Sequence, residues 1–113
     1  MRAVADRVAR RGGFQLVEAA FLEQGSPDLA EAVGRLAARG ASRILVVPYF
    51  LTLGLHLQRD LPRIVADIER IQPGVEIRVT PPLDGHPAME QALIERAKDG
   101  EKAWNDGETA GIP

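Results

Sequence analysis

Three short apolar runs, at residues 14–22 (FQLVEAAFL), 43–48 (RILVVP) and 75–80 (VEIRVT), alternate with stretches whose apolar residues recur at helical spacing. This alternation narrows the fold sharply, because strands joined by helical crossovers run parallel in one sheet with helices packed against it. The first run carries a single charge and reads as a mostly buried strand. The second is unbroken in its apolar character, which predicts a sheet covered on both faces. The third alternates apolar with polar residues, as a half-exposed edge strand does. Between the first two runs, Ser26-Pro27 marks a helix start. Leu29, Ala32, Val33, Leu36 and Ala37 then line one face, and Gly40 supplies a left-handed stop. After a long loop or irregular helix entry at 49–60, Leu61, Ile64, Val65 and Ile68 define a second helix, ended by Pro73-Gly74. A third helix starts at Pro87, with Met89, Ala92, Leu93 and Ala97 expected to face inward. Residues 3–11, ahead of the first strand, are helical in pattern, with Val4 and Val8 as their apolar pair.

With 113 residues and 12.3 kDa, the chain has the size of one small domain. Residues 1–98 are expected to form it, and the polar, Gly-rich stretch 99–113 around Trp104 to be a mobile tail. The formal net charge of -2 lacks the basic excess of a nucleic-acid binder. There is no cysteine, which excludes disulfides, thiolate metal sites, iron–sulfur clusters and cysteine nucleophiles. No apolar run approaches the roughly 18 residues of a membrane span. The Arg-rich start lacks the apolar stretch of a signal peptide. A cytoplasmic protein without membrane or nucleic-acid partners is the expectation.

Ligands of open parallel sheets lie beyond the carboxyl ends of the strands. Three places here meet that description: Glu23, the 49–60 segment, and residues 84–86. His56 follows the second strand near Gly54, where an imidazole could bind a metal or move a proton. Its bland alternative is a loop histidine packed on Leu55 and Leu57. Glu23 follows the first strand; its carboxylate could share a metal with His56, or be a solvated acid near a helix start. Asp60 could orient His56 by a hydrogen bond or cap the following helix. His86, just before Pro87, is expected to cap the last helix. Arg59 and Arg63 could attract an anion, or form ion pairs with Asp60 and Asp67. Arg2, Arg7, Arg10 and Arg11 form a solvated helix face. No P-loop, dinucleotide fingerprint or nucleophile elbow is present.

Three elements, A-F-L-E at 20–23, P-Y-F-L-x-x-G-x-H-x-x-x-D-L-P at 48–62 and G-H-P at 85–87, together resemble the small sirohydrochlorin chelatases. The resemblance covers residues 17–97. It implies a flavodoxin-like three-layer fold, a parallel sheet with flanking helices, and a homodimer. It also implies insertion of a divalent metal, cobalt or iron and also nickel, into a tetrapyrrole of cobalamin or sirohaem synthesis, with no organic cofactor. The family's metal-facing glutamate falls on Glu23, its second active-site histidine on His56, and the aspartate of its D-[IL]-P element on Asp60. The family opens with a strand ending in a G-H-G-S-R-like element that carries its first active-site histidine. The 22 residues before Glu23 contain no histidine, so this first central strand is expected to be missing from the chain.

The ligand chemistry suits that reaction. Cobalt(II), iron(II) and nickel(II) accept imidazole and carboxylate. A site that passes its metal on needs open positions, which two ligands, His56 and Glu23, leave. A neutral imidazole can also take a pyrrole proton, and Arg59 or Arg63 could hold the tetrapyrrole's carboxylates. Two other readings stay open. The chain could be a non-catalytic metal- or tetrapyrrole-binding module or partner subunit of a complete chelatase, or Met1 could be an internal methionine of a longer reading frame.

Overall fold

The computed structural model describes residues 2–22, 25–49 and 55–106, and the side chains of these except Leu55 and His56. In chain order the elements are α1 (Arg2–Gly12), α2 (Leu29–Ala38), β1 (Arg43–Val46), α3 (Leu55–Ile71), β2 (Glu76–Val79) and α4 (Pro87–Asn105). The chain divides into two compact units, Met1–Val47 with Gly54–Thr80, and Pro48–Leu53 with Pro81–Pro113.

The first unit holds the sheet. β1 and β2 pair in parallel, with Arg43 opposite Glu76, Ile44 opposite Ile77, Leu45 opposite Arg78 and Val46 opposite Val79. Bonds from Glu76 N–H to the Ser42 carbonyl (2.8 Å) and from Thr80 N–H to the Val46 carbonyl (2.9 Å) frame the ladder. Two parallel strands that follow one another need a long crossover connection, and α3 lies in it. Ile44 and Ile77, side by side in register, are buried together with Leu29, Ala32, Val33 and Leu36 of α2, Leu61, Val65 and Ile68 of α3, and Val75. Both helices therefore present the stripes that their apolar spacing predicts. Burial of the sheet is one-sided, however: Leu45 remains 65% exposed and Val47 is exposed too. The expectation of a sheet covered on both faces does not hold for this strand.

The helix ends follow from local chemistry. At the N-terminus of α2, Asp28 rather than Ser26 is the cap. Its Oδ1 accepts the Glu31 N–H at 2.8 Å, and the helix starts at Leu29, two residues later than Ser26-Pro27 suggested. At its C-terminus, Gly40 takes φ of +99°. That conformation lets Gly40 N–H reach the Ala37 carbonyl and Ala41 N–H reach the Leu36 carbonyl, both at 3.0 Å, which closes the last carbonyls in a Schellman motif.

Residues 14–22 do not form the strand their apolar character predicted. Among the described residues their ladder contact is one parallel bridge, Phe21 with Asp28, through Phe21 N–H to the Pro27 carbonyl at 2.9 Å. Residues 16–22 are half-buried, and among the described residues no strand lies beside them to complete their backbone pairing.

In the second unit, α4 runs seven helical positions past residue 98. Residues 99–105, expected to belong to a polar tail, are helical, with Arg96 and Asp99 paired at 3.3 Å one turn apart. Residues 107–113 of that tail lie outside the described residues. The inward face expected for α4 is absent as well. None of its residues is buried; Leu93 is 68% exposed, Ala92 and Ala97 are exposed, and Met89 is half-buried.

Candidate functional site

The carboxyl ends of β1 and β2 point the same way, because the strands are parallel. β1 ends at Val46, and α3 begins at Leu55. The start of α3 is thus delivered by the segment that follows the carboxyl end of β1, where open parallel sheets hold their ligands.

His56 lies in the first turn of α3, not in a loop or irregular entry. A proline disfavours helical backbone in the residue before it, which would interrupt a helix at Leu61. Here the helix runs through Pro62. Leu57, Leu61, Val65 and Ile68 extend one continuous buried or half-buried stripe backwards by a turn. Burying that stripe outweighs the strain and the lost backbone bond at proline.

This longer helix changes the reading of Asp60. It cannot be the cap, since it sits in the second turn. It lies four residues after His56, the spacing that places two residues on one helix face. Its Oδ1 accepts from Arg63 Nη2 at 3.5 Å in an exposed pair. Asp67 pairs with Arg70, not with Arg59 or Arg63. Arg59, three residues after His56, is exposed.

Glu23 lies outside the described residues, and so does the side chain of His56. Among the described residues, no three His, Asp or Glu side chains converge as metal ligands.

His86 takes the expected structural role. It precedes α4, and its Nδ1 accepts the Ala88 N–H at 3.0 Å, with Pro87 in the first helical position. Asp84 beside it is exposed. One role was not anticipated. The Glu69 carboxylate accepts the Ile77 N–H at 3.1 Å and is part-buried. Ile77 N–H faces away from β1, so this bond seals the outer edge of β2. Its sequence signal was slight: an acid at the border of the α3 apolar stripe.

Comparison with known proteins bears on what this framework does. A family model described as CbiX matches residues 1–100. A sirohydrochlorin cobaltochelatase of Saccharolobus islandicus (strain L.S.2.15) is 37% identical over 92 residues, covering 76% of this chain and 72% of that protein. The sirohydrochlorin cobaltochelatase of Methanopyrus kandleri is 29% identical over 116 residues, covering 85% and 81%. In three dimensions, a crystal structure of a CbiX protein from Marinobacter aquaeolei VT8 superposes with a TM-score of 0.71 at 27% identity, over 89% of this chain and 85% of that one. The family model covers most of the chain and a named relative exceeds a third identity, so this chain belongs to the CbiX family.

Proposed function

We propose that this protein inserts a divalent metal, cobalt first, into a sirohydrochlorin-type tetrapyrrole in cobalamin biosynthesis. The observation that carries this reading is the 37% identity, over 76% of the chain, to a relative named sirohydrochlorin cobaltochelatase. Iron(II) and nickel(II) suit the same ligand chemistry. In this reading the Glu23 carboxylate supplies an oxygen and the His56 imidazole a nitrogen to the incoming ion, leaving its other positions open for the pyrrole nitrogens. Insertion forms the metal–nitrogen bonds and releases two pyrrole protons; His56 in its neutral form accepts one as the metal transfers, and water takes the other. Asp60, at i+4, steadies the imidazole, while Arg59 and Arg63 draw the carboxylates of the macrocycle. The wider proposal is a flavodoxin-like three-layer sheet, in a homodimer, working in the cytoplasm.

Purified protein mixed with cobalt(II) and sirohydrochlorin gives a direct readout in the absorbance of the metallated product. His56→Ala should slow insertion by about 100-fold or more. A rate equal to wild type would strip His56 of its role.

One observation favours a second reading, in which the chain binds metal or tetrapyrrole without turnover. The sequence has two histidines, and one of them, His86, is engaged as the cap of α4. Saturable cobalt binding by calorimetry, with no insertion by wild-type protein, would establish that alternative.

A further inference from the structure

We draw no further inference here: the strongest candidate, the apolar stripe along α4 that includes Leu93 and Trp104, is open to solvent, and nothing in the structure shows what covers it.

Discussion

The bond between Glu69 and the Ile77 N–H tests how the sheet is finished. Ile77 is 7% exposed, so its N–H has little access to water if its partner is removed. A hydrogen bond to a carboxylate contributes about 1.5–3 kcal/mol, and leaving a buried donor unsatisfied costs about 1–3 kcal/mol. Glu69 is only part-buried, which favours the lower end. Glu69→Ala should therefore destabilise the fold by about 1.5 kcal/mol, roughly a tenfold change in the folding equilibrium. Glu69→Gln keeps an acceptor oxygen in place and should cost less than about 0.7 kcal/mol, in the range of a neutral bond. Urea unfolding followed by circular dichroism separates the two. At the m-value of a small domain, Glu69→Ala should lower the midpoint by about 1 M with m unchanged, and Glu69→Gln by less than half of that. Equal effects from the two variants, or an alanine variant within about 0.3 kcal/mol of wild type, would refute the view that an acceptor at this edge stabilises the sheet.

Three further outcomes follow from the same physics. His86→Ala removes the acceptor from the first turn of α4 and should cost about 1 kcal/mol, whereas His86→Asn, a good cap, should cost a few tenths; thermal melts compare them. Val33→Ala, at a residue only 1% exposed, should cost about 2 kcal/mol from lost burial plus the cavity, read from denaturant midpoints. Asp60→Ala breaks an exposed pair and should cost less than about 0.5 kcal/mol of stability. The same variant should slow metal insertion severalfold; insertion at the wild-type rate would limit Asp60 to its surface ion pair with Arg63.

What the sequence discloses depends on how local the cause is. The core of α2 was legible because Leu29, Ala32, Val33 and Leu36 repeat at helical spacing and Gly40 meets a conformational demand that few residues satisfy. β1 and β2 were legible as parallel strands joined by a crossover, each within two residues of its observed ends. Residues 14–22 were misread because an apolar run becomes a strand only if another backbone lies beside it, and the run itself carries no record of that neighbour. The entry to α3 was misread for the opposite reason. Pro62 is a local obstacle to helical backbone, yet the stripe reaching back to Leu57 overrides it. In α4, Glu101 and Lys102 are good helix formers, so the helix persists to Asn105 with no fully buried residue to support it. For the candidate site, the motif located His56 in the chain, and the structure adds that a regular helix, not a loop, carries its backbone.

The cap on α4 has a chemical corollary. A ring nitrogen that receives a hydrogen bond holds a lone pair there, so the neutral His86 ring keeps its proton on Nε2. Coordinating an ion through Nε2 would drive that proton to Nδ1, straight against the Ala88 amide. The ring can therefore end the helix or bind an ion, but not both at once. In a chain with only two imidazoles, that incompatibility leaves His56 as the sole nitrogen donor of its kind while α4 stays capped.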